Sequence, residues 1–296
     1  MAESTKARDG GRGTVLLPLA AILVAMVSVQ GGASYAKRLF PLIGAEGTTA
    51  LRLGIAAILL AIVLRPWRSR LSMASAPALI GYGVALGAMN LMFYLSLRTV
   101  PLGIAVALEF LGPLTVAMLS SRRRIDFLWI ALAVAGLAVL LPIGRGAHPV
   151  DPGGAALALG AGVGWALYIL FGQRAGAAHG AQTTALGTAI AAILVVPVGV
   201  AHAGADLLSV PILWSGLIVA ILSSALPYSL EMTALTRLPT QTFGTLMSME
   251  PAIAAISGFA FLGETLAPVQ WLAIAAVMGA SAGTALTSRS PAIRHD

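Results

Sequence analysis

Apolar runs of about 20 residues recur along this chain, each closed by a short cluster of Gly, Pro or charged residues. That length is what a helix needs to cross the hydrocarbon core of a bilayer, where the backbone must satisfy its own hydrogen bonds. The pattern therefore constrains the chain to a bundle of membrane helices. The runs lie at 15–36, 47–64, 77–97, 103–120 and 127–141. After a Gly- and Pro-rich break at 142–153 come 154–172, 181–201, 211–232, 242–262 and 268–288. Ten such spans consume nearly all of the 296 residues, which leaves no room for a sizeable extramembrane domain. Charged residues are only 10% of the chain, against about 25% in a soluble domain. The first run is too long for a cleaved signal peptide, and nine more follow it. The expected fold class is an all-α membrane protein of ten transmembrane helices.

The basic residues give an orientation. With the N-terminus inside, Lys6, Arg8, Arg12, Arg65, Arg68, Arg70, Arg122, Arg123, Arg124, Arg174, Arg237, Arg289 and Arg294 fall on the cytoplasmic side. Only Lys37, Arg38, Arg98 and Arg145 fall outside. This asymmetry predicts both termini in the cytoplasm. It also accounts for the net charge of +7 without any nucleic-acid partner. With no cysteine, disulfides and thiolate metal sites are excluded.

A repeat lies beneath the spans. Val100-Pro101, Gly112-Pro113 and Asp126 recur as Leu238-Pro239, Glu250-Pro251 and Glu264, all at one offset of 138 residues. Two halves of five helices each imply that the second is inverted relative to the first, an architecture whose solute sites lie near the midplane. The expected organisation is a disordered cytoplasmic tail at 1–14, a first repeat at 15–143, a connecting loop at 144–153, a second repeat at 154–288 and a tail at 289–296. Pro113 and Pro251 should kink or unwind their spans. The carbonyls they free can face a solute cavity or serve packing alone.

Ionisable groups within spans cost roughly 2.5–3.5 kcal/mol each on insertion scales and usually face a cavity or a partner. The candidates are Arg52 in span two, Glu109 in span four, Glu231 near the end of span eight and Glu250 in span nine. Arg52 and Glu109 share a depth that allows an ion pair, either structural or part of a solute site. Glu250 is the candidate solute or proton site, because proton-coupled transport needs a carboxylate that cycles its proton. A second tier is polar or aromatic: Gln30 and Tyr35, Asn90 and Tyr94, Trp165 and Tyr168, Ser223, Ser224 and Tyr228, Thr245 and Ser248. These can bind a small polar solute or hydrogen-bond between helices. Trp67, Trp129, Trp214 and Trp271 sit near span ends and read as interface anchors. The chain has no HExxH and no P-loop, which argues against a zinc hydrolase and against an ATP-driven motor. No cofactor is expected, and uphill movement must draw on a gradient.

The duplicated halves, Leu51-Arg52 in span two and the Gly263-Glu264-Thr265-Leu266 turn before span ten resemble the EamA-type members of the drug/metabolite transporter superfamily. The resemblance covers nearly the whole chain. Within that family, QGGAS at 30–34, TVPLGIAVALEF at 99–110, ALPYSLEM at 225–232 and FGTLMSMEP at 243–251 are similar to the bacterial threonine/homoserine exporters. The resemblance implies a multi-pass protein of the bacterial inner membrane. Its implied partners are membrane lipid, a small amino-acid substrate (threonine or homoserine) and protons exchanged in antiport. A drug or another metabolite as cargo stays open on the same fold.

Overall fold

The computed structural model describes residues 6–68, 75–120, 125–140, 150–180, 182–227, 230 and 240–287. Tyr228, Glu231 and the triplet Arg122-Arg123-Arg124 lie outside the described residues. Every regular element described is helical. In chain order these are α1 Lys6–Lys37, α2 Phe40–Leu64, α3 Ala76–Ser96, α4 Leu102–Glu109, α5 Leu111–Ser120 and α6 Asp126–Leu140. They continue with α7 Pro152–His179, α8 Gln182–Ala203, α9 Val210–Ala220, α10 Thr240–Met247, α11 Glu250–Ser257 and α12 Pro268–Thr287. Among the described residues, seven helices are long and apolar enough to cross a membrane. Three shorter apolar stretches, Leu102–Val116, Phe127–Leu140 and Val210–Ala225, complete the bundle.

The first helix differs from expectation. It begins at Lys6, so the tail expected to be disordered is helical from that residue on. Extending an existing helix costs far less than starting one, and no proline interrupts the extension before Pro18. Helix α7 likewise runs past the expected end at 172, because no breaker intervenes before Gly180, which takes a positive φ of 57°.

Both prolines of the repeat break their spans. A proline has no N–H to give the carbonyl four residues back. The helix accordingly ends at Glu109 and resumes at Leu111 ahead of Pro113, and it ends at Met247 and resumes at Glu250 ahead of Pro251. Two π-helical turns, Ile221–Ala225 after α9 and Gly258–Leu262 after α11, add further local departures.

The most extensive interfaces pair α3 with α7 and α2 with α8, followed by α6 with α12, α3 with α8 and then α4 with α11. Helix α1 lies against α9, its π turn and α11. Small residues let backbones meet. A Cβ on Gly112 would collide with the carbonyl of Gly162, and one on Gly162 would sit 2.7 Å from the carbonyl of Glu109. The broken span thus touches α7 backbone to backbone. Large apolar side chains such as Leu23, Val27, Ile58, Val63, Ile193 and Leu272 point outward, as a lipid-facing surface requires.

Five helix connections meet at one end of the bundle. Lys37 Nζ donates to Glu264 Oε1 at 2.6 Å and to the Val100 carbonyl at 3.5 Å, tying the α1/α2, α3/α4 and α11/α12 connections together. Thr99 donates to Asp151 ahead of α7, and Glu46 faces both Arg98 and His202. This shared end means that successive spans run antiparallel.

Candidate functional site

Glu109 is the last residue of α4, at the break four residues before Pro113. Glu109 is buried there, beside a cavity of about 220 Å³ in the middle of the bundle. Its polar lining comprises Gln30, Arg52, Asn90, Glu109, Ser223 and Glu250. The aromatic wall is Phe93, Trp165 and Tyr168, and Val29, Ala33, Leu86, Met89, Val106 and Met247 close the apolar remainder. A larger depression of about 560 Å³ lies at the end of the bundle beside Lys37, Arg98 and His202. It is an open groove that includes the exposed side chains of Leu42, Arg98 and His202, so the interior cavity is the candidate site.

Three ionisable groups face this cavity, each less than a tenth exposed. Arg52 on α2 donates from Nη1 to Tyr94 Oη at 3.0 Å and from Nη2 to Asn90 Oδ1. Its guanidinium also lies 5.2 Å from the Tyr94 ring centre, within cation–π range. Asn90 is itself fixed by donating to the Leu86 carbonyl at 2.8 Å. Glu109 lies within electrostatic range of both Arg52 and Glu250. Glu250, at the first position of α11, accepts from Gln30 Nε2 at 3.1 Å. The cavity therefore sets one cation against two carboxylates, a layout that can hold a small zwitterion.

Most of the sequence-predicted site converges here. Gln30, Arg52, Asn90, Glu109, Trp165, Tyr168 and Glu250 line the cavity, with Tyr94 directly behind Arg52. Trp165 is held edge-on by Phe110, and Tyr168 stacks on Tyr82. Among the described candidates, Tyr35, Ser224, Thr245 and Ser248 do not line the cavity. Tyr35 shares a hydrogen bond with Ser215 of α9, because five residues from Gln30 is about 140° round a helix. Ser248 sits in the α10/α11 break and donates to the Thr245 carbonyl at 2.6 Å, so it satisfies a carbonyl at the broken turn. Trp129 also packs within the bundle: its ring covers Gly283 and its Nε1 donates to Thr287. The apolar wall was not legible in advance, since an apolar residue in an apolar span carries no mark of which face it occupies.

Sequence reasoning also missed the role of Glu264. Beyond Lys37, this carboxylate accepts from the backbone N–H of Leu102 at 2.7 Å, at the start of α4. Anionic groups are favoured at a helix N-terminus. Gly258 makes room for it, since a Cβ there would collide with Oε2. One side chain thus clamps α1, α4 and α11 at one end of the bundle. The matching 138-residue spacing to Asp126 was the available signal that this position is structural.

Comparison with known proteins bears on all of this. The model of the EamA-like transporter family matches residues 152–286. The threonine/homoserine exporter RhtA of Escherichia coli (strain K12) is 60% identical over 275 residues, covering 93% of each chain. The chain belongs to the EamA-like transporter family and is of the RhtA type. The RhtA of Salmonella typhimurium (strain LT2) is 59% identical over 95% of this RhtA-type chain and 96% of its own. An inner membrane transporter of E. coli named YedA, uncharacterised, is 26% identical over 89% of both chains. A crystal structure at 17% identity superposes with a TM-score of 0.56 over 92% of this RhtA-type chain and 97% of its own, which supports the fold.

Proposed function

We propose that this RhtA-type chain exports threonine and homoserine across the bacterial inner membrane by alternating access, coupled to protons. The observation that carries the reading is the interior cavity, which opposes Arg52 to Glu109 and Glu250 in a chain so similar to exporters of those two amino acids. An amino-acid carboxylate matches Arg52, and its ammonium matches the carboxylates. With all three groups ionised the cavity carries one surplus negative charge. A zwitterion leaves that net charge unchanged and a proton removes it, but the substrate ammonium and the proton compete for the same carboxylate oxygens. This competition is what antiport requires.

The architecture we assign is ten spans in two inverted halves. Its support is the 138-residue offset together with the packing. Under that offset span two corresponds to span seven, four to nine and five to ten, and each of these pairs packs on itself as α2 with α8, α4 with α11 and α6 with α12. The contact of α3 with α7 is matched by that of α1 with α9 and its π turn. The Lys and Arg distribution supports both termini in the cytoplasm. In that orientation the Glu264 clamp closes the outer face, and export requires it to open.

Cells overproducing the protein should grow at threonine and homoserine concentrations that arrest control cells, and show no such gain against unrelated toxic cations or dyes. Protection against the toxicants alone would replace the amino-acid reading with a drug-exporter reading.

A further inference from the structure

Two polar atoms of the cavity are not used by the charges around them. Ser223 is buried in the π turn after α9, and its Oγ has no hydrogen-bond partner among the described residues. Gln30 is 2% exposed, and its Oε1 likewise has none. Gln30 Nε2 faces Glu250, which can only accept while it is ionised, so in that state the amide has one direction. The carbonyl end therefore remains available as an acceptor.

The local structure holds these atoms in place. The π turn re-aims the residues after α9, a departure that often occurs at functional sites. Ser28 Oγ donates to the Leu222 carbonyl at 2.7 Å and pins α1 against that turn. A Cβ on Gly32 would collide with Ser223 Oγ, so the glycine creates the room that Ser223 occupies. Both residues line the same cavity; their oxygens are closed off in this state, and a substrate hydroxyl that displaces the side chains around them would donate to Gln30 Oε1 and accept from Ser223 Oγ.

We infer that Gln30 and Ser223 form a hydroxyl-reading subsite that makes the transporter prefer amino acids with a side-chain hydroxyl on the β or γ carbon. The inference rests on the amino-acid reading above and deepens it. Arg52 and the two carboxylates bind what all amino acids share, so they cannot tell a hydroxylated side chain from its deoxy analogue. A buried acceptor and hydroxyl left unmatched by an apolar side chain can. Discrimination on the order of ten- to a hundredfold follows for such a site when water partly fills the gap.

Threonine and homoserine share one deoxy analogue, 2-aminobutyrate, which serves as the probe. In proteoliposomes taking up labelled threonine, unlabelled threonine and homoserine should compete about 10- to 100-fold better than 2-aminobutyrate. In Ser223→Ala that ratio should fall to within about threefold of one, through weaker competition by the two hydroxylated substrates. Ser223→Thr, which keeps an Oγ, should restore part of the preference. A thermal melt checks that each variant is folded. An unchanged ratio in folded Ser223→Ala, or an equal weakening of all three competitors, overturns the subsite and leaves amino-acid export standing. A wild-type protein that takes up no labelled threonine overturns both.

Discussion

Removing the Glu264 carboxylate should unlock one face of the transporter. The side chain joins Lys37 at 2.6 Å and the Leu102 N–H at 2.7 Å, bridging three helices at one end. A hydrogen bond to a charged group contributes about 1.5–3 kcal/mol when well formed. Lys37 and Glu264 retain 23% and 15% exposure, so solvent screening lowers that value for the clamp to about 1–2 kcal/mol. At about 1.4 kcal/mol per factor of ten, Glu264→Ala should shift the balance about 5- to 30-fold toward the state open at that face. Glu264→Gln keeps an acceptor for Leu102 and should shift it less. The natural chain has no cysteine, so Ala33→Cys provides a unique label site on the cavity wall. Labelling by a membrane-impermeant maleimide from the outer face of oriented vesicles should accelerate by that factor in the Glu264→Ala background. An unchanged rate in a folded, inserted variant would refute the clamp as a closing contact.

Other consequences are open to direct measurement. Replacing both Glu109 and Glu250 by Gln should abolish stimulation of export by an imposed pH gradient, and wild-type pH dependence in that double variant would remove both from the proton path. Gly112→Ala and Gly162→Ala each push a methyl group into a backbone carbonyl of the neighbouring helix, and each should lower the melting temperature and the yield of inserted protein. Asp151 caps α7, and the Gly154 N–H first, then the Thr99 hydroxyl, hold its carboxyl below the ordinary value of 3.8. A lowered folded-state pKa means that the cap contributes at neutral pH and fades as pH falls below 3.8 toward the lowered value. The melting difference between wild type and Asp151→Ala should therefore hold from pH 8 to pH 5 and shrink below pH 4 in a detergent titration.

The sequence announced depth and periodicity well, and azimuth poorly. Pro113 and Pro251 break their spans where an absent N–H requires it, and that rule needs no knowledge of neighbours. Trp165 and Tyr168, three residues apart, reach the cavity together because that spacing keeps one helix face. Arg52 and Glu109 were matched in depth, yet the hydrogen bonds of Arg52 go to Asn90 and Tyr94 on α3. Which neighbour a buried cation meets depends on how helices cross, and that is set by backbone contacts such as Gly112 on Gly162. The reach of Glu264 across to Lys37 and Leu102 is equally a product of packing, since the three residues lie far apart in the chain. The unmatched oxygens of Gln30 and Ser223 could be recognised only once every neighbouring partner had been assigned.

The central claim is that the cavity carries an amino acid in exchange for protons. Counterflow of labelled threonine in proteoliposomes, with and without an imposed pH gradient, tests it most directly. Internal unlabelled threonine or homoserine should drive rapid entry of label, a pH gradient should drive net movement, and Arg52→Met should abolish both. No counterflow with any amino acid, in protein that is folded and inserted, would contradict the account.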